Sequence, residues 1–170
     1  MSARDRSPSG PARTRTNGSR PAGEGAFEAA VRYLGPRPRS VLEVRRHLTK
    51  KRYDEKEIAA ALERLRELGY VDDAAFARYW LEQRRRFRPK GEYALRSELR
   101  AKGVDAAIVD RVLGETPEGG GEADRARAAL EPRLSRWSAL TPRERRMKAQ
   151  AFLRQRGFSF DTIEEVLARL

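Results

Sequence analysis

Two aspartates stand side by side in "LRELGYVDDAAFARYW", at Asp72 and Asp73. Neighbouring carboxylates can hold a divalent cation or share a proton between a general acid and a general base. Either use requires both groups to face one point. Adjacent residues on a helix point about 100° apart, so this pair does not converge. Asp72 precedes Ala74, Ala75, Phe76 and Ala77, which is the position of an N-cap. Asp73 then falls in the first turn, where negative charge is favoured by the helix dipole. The spacing predicts a helix start, with Val71 and Phe76 placed for a hydrophobic staple.

Other chemistry is equally short of parts. The chain has no cysteine and one histidine, His47, which removes disulfides and the usual zinc constellations. Ser40, Ser97, Ser135 and Ser138 have no histidine base nearby in sequence. "EGGGEAD" lacks the lysine and the preceding strand of a phosphate-binding P-loop. Trp80, Trp137, Phe87 and Tyr79 fall at helical spacing and are assigned to the core rather than to nucleobase stacking. No catalytic residue, metal ligand or cofactor is expected, and the protein is read as a non-enzyme.

The elements around these residues form a repeat. "SVLEVRRHLTKKRYDEKEIAAAL", "GEYALRSELRAKGVDAAIVDRVL" and "ERRMKAQAFLRQRGFSFDTIEEVL" align without large gaps. Leu42, Tyr93 and Met147 coincide, as do Leu48, Leu99 and Leu153, and then Tyr53, Val104 and Phe158. Each block opens on a Pro-containing break and an amphipathic helix, then a tight turn and a second helix capped by Asp54, Asp105 or Asp161. A further helix precedes each block, over residues 26–34, 73–87 and 122–137. No stretch alternates apolar and polar residues as a strand would. The expected fold is all-α: three tandem three-helix, helix-turn-helix-like repeats in an elongated, curved array. Residues 1–25 are expected to form a disordered basic arm. The repeats are assigned to 26–70, 71–115 and 122–170, with a flexible linker over 116–121.

The net charge of +12 is segregated. Residues 37–56, 84–102 and 143–156, which hold the middle helix of each repeat, are strongly basic, whereas 104–131 and 157–170 are acidic. A bias toward arginine alone would spread the charge evenly, so faces of positive potential directed at a polyanion are expected. The candidate binding residues are Arg45, Arg46, Lys50, Lys51 and Arg52 in the first repeat. In the second they are Arg84, Arg85, Arg86, Arg88, Lys90, Arg96, Arg100 and Lys102. In the third they are Arg145, Arg146, Lys148, Arg154 and Arg156. These helices lack a clean base-reading pattern of Gln, Asn and Arg, which favours phosphate or nucleoprotein contact over operator reading. No run approaches the roughly 20 apolar residues of a membrane span. The N-terminus also lacks a secretory apolar core. A cytoplasmic protein with no membrane partner is expected.

"ELGYVDDAAFARYWLEQRRRFRPKG" resembles the hallmark segment of the RecX family, bacterial regulators of the RecA recombinase. The resemblance rests on Leu68, Gly69, Tyr70, Val71, Asp72, Asp73, Phe76, Ala77, Arg84 and Lys90-Gly91. Tyr33-Leu34, Arg37, Ser40, Glu43, Leu48 and Lys51 are similar to the family's first repeat. Phe152, Leu153, Arg156, Gly157, Phe158 and Ile163 are similar to its third. Leu68, Gly69, Asp72, Asp73, Phe76, Gly157 and Phe158 are then structural signature residues. The resemblance implies a monomeric modulator, most often an inhibitor, of RecA-type recombinase filaments on single-stranded DNA, with duplex DNA as a further partner. It implies action on filament extension, ATPase, strand exchange and coprotease activity, hence on DNA repair and the SOS response. The alternative from the residues alone is a tandem helix-turn-helix DNA-binding protein acting as a transcription or chromatin factor.

Overall fold

A computed structural model gives the conformation of residues 25–115 and 120–170. The proposed arm, apart from Gly25, and residues 116–119 of the proposed linker lie outside the described residues. Every regular element among the described residues is a helix. The first triplet is α1 (Ala26–Leu34), α2 (Val41–Lys50) and α3 (Glu55–Glu67). The second is α4 (Asp73–Phe87), α5 (Glu92–Ala101) and α6 (Ala106–Gly114). The third is α7 (Glu122–Leu134), a single 3₁₀ turn over Ser135–Trp137, α8 (Pro142–Gln155) and α9 (Phe160–Leu167).

Caps set where these helices begin. The Ser40 hydroxyl accepts from the Glu43 amide at 3.1 Å, and the Glu43 carboxylate accepts from the Ser40 amide at 3.3 Å, closing a capping box on α2. Asp54 with Glu57, and Thr141 with Glu144, do the same for α3 and α8. Asp105 caps α6, as expected. The expected cap Asp161 is a correction: α9 is capped by Ser159, whose Oγ accepts from the Thr162 amide at 3.3 Å. Asp161 sits inside the first turn of α9, where its charge still faces the positive end of the dipole.

The repeated register has a local cause at the other helix end. The amides of Tyr53, Val104 and Phe158 donate back to the carbonyls of Leu48, Leu99 and Leu153, at 3.3, 3.1 and 3.2 Å. This Schellman-type closure buries an apolar side chain just past each middle helix. The residue before it must take a left-handed backbone, and Gly103 (φ 79°) and Gly157 (φ 76°) do so freely. In the first repeat Arg52 occupies that position at φ 66°.

Each triplet closes its own core. Val44, Leu48, Ile58, Leu62 and Leu65 anchor the first, Phe76, Leu99, Val104 and Val109 the second, and Leu130, Leu153, Ile163 and Leu167 the third. Val71 is buried in the first core and Phe76 in the second, so the Asp72-Asp73 segment is where the chain crosses between them. Among the aromatic residues assigned to cores, Trp80 is half-buried 5.9 Å from Phe76, and Trp137 is half-buried 6.3 Å from Phe152. Phe87 departs from that expectation at 67% exposed. It ends α4, beyond Leu81, the last α4 residue packed on the second core.

The two junctions between triplets are built alike. At the first, the Val41 amide donates to Asp73 Oδ1 at 2.9 Å, and Ser40 Oγ donates to the Lys102 carbonyl at 2.6 Å. At the second, the Glu92 amide donates to Glu122 Oε1 at 2.7 Å, and the Gly91 amide donates to the Arg156 carbonyl at 3.0 Å. Val41 and Glu92 are each the first residue of a middle helix, and Asp73 and Glu122 each open the next leading helix. One local rule, applied twice, therefore sets how consecutive units meet.

Candidate nucleoprotein-binding surface

The middle helices bury Val44 and Leu48 in α2, Leu95 and Leu99 in α5, and Ala149 and Leu153 in α8. Helical geometry then turns the residues between them outward. Arg46 and Lys50 of α2, Arg100 of α5, and Lys148 and Arg154 of α8 are exposed, as are Arg52 and Arg88 in the adjoining loops. Among the described residues these seven cations make no side-chain hydrogen bond or ion pair. Arg86 is exposed with its guanidinium 5.5 Å from the Phe87 ring centroid. Lys51 is half-buried at the C-cap of α2.

The remaining candidate cations are held by the fold. Glu98 is a hub: Arg84 Nε donates to it at 2.7 Å, Trp80 Nε1 at 2.8 Å, and Lys90 also donates to it. The Arg84 guanidinium lies 4.4 Å from the Trp80 ring centroid, so it stacks as well as pairs. Burial raises the Glu98 pKa, but the hydrogen bonds from Arg84, Lys90 and Trp80 outweigh it and hold the carboxyl below its ordinary 4.5. Lys102 Nζ reaches across the first junction to Glu43 at 2.6 Å. Burial acts upward on Glu43 too, and Lys102 and the Ser40 amide bring it down overall.

Arg45 pairs with Glu55, Arg85 with Glu82 at 2.8 Å, and Arg96 with Asp110. Arg145 and Arg146 spend guanidinium hydrogens on backbone carbonyls, Arg146 on that of Leu167 at 2.8 Å. Arg156 donates to the Pro89 carbonyl at 3.0 Å, stitching the second junction.

Asp72 and Asp73 are committed to two different helices. Asp72 Oδ1 accepts from the Ala74 amide at 2.7 Å and caps α4. Asp73, whose pKa is raised chiefly by burial, accepts from the first amide of α2. Gly69 (φ 69°) ends α3 in the left-handed region, Leu68 before it is 55% exposed, and Phe158 is buried. Among the described residues no three His, Cys, Asp or Glu side chains group as a metal site. None of the described helices is long and apolar enough to cross a membrane. The junction roles of Glu43 and Glu122, and the role of Glu98 as a hub within the second unit, were not anticipated from sequence. Their partners lie between 8 and 59 residues away, beyond any local spacing rule.

Comparison with known proteins follows the same threefold division. Residues 26–65 match the RecX first three-helix domain, 72–113 the second and 121–167 the third. The chain is 34% identical over 147 residues to "Regulatory protein RecX" of Chlorobium phaeobacteroides (strain BS1), covering 85% of this chain and 93% of that one. It is 40% identical over 113 residues to the protein of that name from Mycobacterium sp. (strain JLS), covering 66% of this chain and 61% of that one. In fold it is similar to the crystal structure of RecX from Lactobacillus salivarius, with a TM-score of 0.75 at 23% identity. That match covers 85% of this chain and 94% of that one.

Proposed function

Since the chain belongs to the RecX family of regulatory proteins, we propose that it binds RecA-type recombinase filaments on single-stranded DNA as a monomer. There it inhibits filament extension, and with it ATP hydrolysis, strand exchange and coprotease activity, acting in the cytoplasm where such filaments form. The observation that carries this reading is the set of exposed cations on the middle helices that close no salt bridge among the described residues, repeated in all three units and spaced by like-built junctions. A polyanion that is itself a helical repeat offers successive charges to such a series. Cations already neutralised by Glu43, Glu55 or Glu98 are not part of that contact; they set the angle at which the free ones are offered.

The test is to add the protein to a recombinase–single-strand filament and follow ATP hydrolysis and filament length. Inhibition at substoichiometric protein is expected. A protein that leaves the filament unaffected and binds a duplex tightly without any recombinase would instead be a tandem DNA-binder.

A further inference from the structure

At the second junction, Tyr93 of α5 and Phe160 of α9 expose 80% and 69% of their surface on one groove of about 500 Å³. Gln150 and Arg154 of α8, the Gly157–Phe158 turn and Ile163 complete its walls, and among the described residues no acidic side chain lines it. Large aromatic residues left this open need an explanation other than folding, because neither belongs to a core. Arg154 is exposed and among the described residues has no acidic partner.

The surroundings are basic as well. Arg156, next to the groove residue Gly157, and Arg133 both lie on the Phe152 ring, at 4.7 and 5.1 Å from its centroid. Burial first, and then the charges of Arg133 and Arg88, push the Arg156 pKa down, so like charges gather here. Open aromatic faces beside gathered guanidinium groups suit one ligand chemistry in particular: unstacked bases on a phosphate backbone. Bases in a duplex are already stacked on each other and cannot use such rings.

We propose that this groove is a single-stranded nucleic-acid subsite, in which exposed bases stack on Tyr93 and Phe160 while Arg154 holds the backbone phosphate. This deepens the filament-binding reading by assigning the strand to the second junction, and it rests on that reading for its biological setting. The subsite spans two units, since Tyr93 comes from the second and the other groups from the third.

The experiment is fluorescence anisotropy of the full chain with labelled oligothymidylate, an abasic strand of equal length and a duplex, all without recombinase. The wild type is expected to prefer oligothymidylate to both others. Tyr93→Ala and Phe160→Ala should each weaken that binding on the order of tenfold, with little effect on the abasic strand. Arg154→Glu should weaken both. Circular dichroism should remain that of the wild type, since both rings lie outside the cores. Equal affinity for thymidylate and abasic strands, or unchanged affinity in the Tyr93→Ala/Phe160→Ala variant, overturns the proposal. No measurable oligonucleotide binding also overturns it and leaves the groove to a protein surface. A wild type that binds oligothymidylate in this way but leaves recombinase ATP hydrolysis unaffected supports the subsite and overturns the filament assignment instead.

Discussion

Asp73 Oδ1 accepts a 2.9 Å hydrogen bond from the Val41 amide, so the first residue of α4 caps the N-terminus of α2 in the preceding unit. Glu122 stands in the same relation to Glu92 at the second junction. Two adjacent carboxylates thus serve two helix starts rather than one catalytic centre, Asp72 its own and Asp73 its neighbour's.

Asp73→Ala should therefore loosen the junction as well as the fold. A loss of about 1–2 kcal/mol in urea unfolding is expected, in the range of an N-cap removal. Amide exchange at Val41 should accelerate. Asp72→Ala should cost a similar amount while leaving Val41 protected. Equal protection of Val41 in both variants would show that the cross-unit bond does not form in solution.

Gly91→Ala tests the second junction by shape rather than charge. A Cβ at Gly91 would overlap the Gly157 carbonyl and the Phe158 amide, both backbone groups with no freedom to move aside. The backbone of Gly91 is otherwise ordinary, at φ −74°, so alanine causes no strain of its own. The variant should keep its helical content, and proteolysis between the second and third units should speed up several-fold. Wild-type protease resistance would mean that the units are not docked as described.

Glu98→Ala should unfasten three side chains at once, because Arg84, Lys90 and Trp80 all donate to that carboxylate. A loss of about 2–3 kcal/mol is expected, as for a half-buried charge-assisted network, with a shift in Trp80 emission. Arg84→Ala should also destabilise. Filament inhibition lost in an Arg84 variant would then report a misplaced helix end rather than a lost contact. Arg84→Ala with unchanged stability would return Arg84 to the binding surface.

Acid should weaken the molecule through its bridging carboxylates. Glu43, Glu98 and Glu122 all have pKa values held below 4.5, so their contribution is present above that value and lost as pH falls through the lowered ones. Asp73 acts oppositely: its value is raised from 3.8, and its favourable contribution is lost as pH rises through the raised one. Three carboxylates outweigh one, so the melting temperature should drop as pH falls below about 4.5. Glu122→Gln should flatten that slope, and an unchanged slope would remove Glu122 from the account.

Helix boundaries were legible because they are local. The Leu48/Leu99/Leu153 and Tyr53/Val104/Phe158 registers mark the two ends of one backbone closure, five residues apart in each unit. Ser40 and Glu43 likewise announce the start of α2 at capping-box spacing. The charge pattern located the basic helices but not which cations were free. That depends on pairings such as Lys102 with Glu43, 59 residues apart, and Arg84 with Glu98, 14 apart. The Ser40 bond to Lys102, across 62 residues, was hidden for the same reason. The aromatic groove was missed because Tyr93 and Phe160 come together only through the second junction.

The most direct measurement is recombinase ATP hydrolysis on single-stranded DNA with wild type and with the Arg46→Glu/Arg100→Glu/Lys148→Glu variant. These three cations are exposed, lie one on each middle helix and, among the described residues, close no salt bridge, Lys148 acting on Glu144 only at longer range, so their reversal should leave the melting temperature within a few degrees. The account predicts inhibition by the wild type and its loss by at least tenfold in potency in the folded variant. Full inhibition by that variant would contradict it.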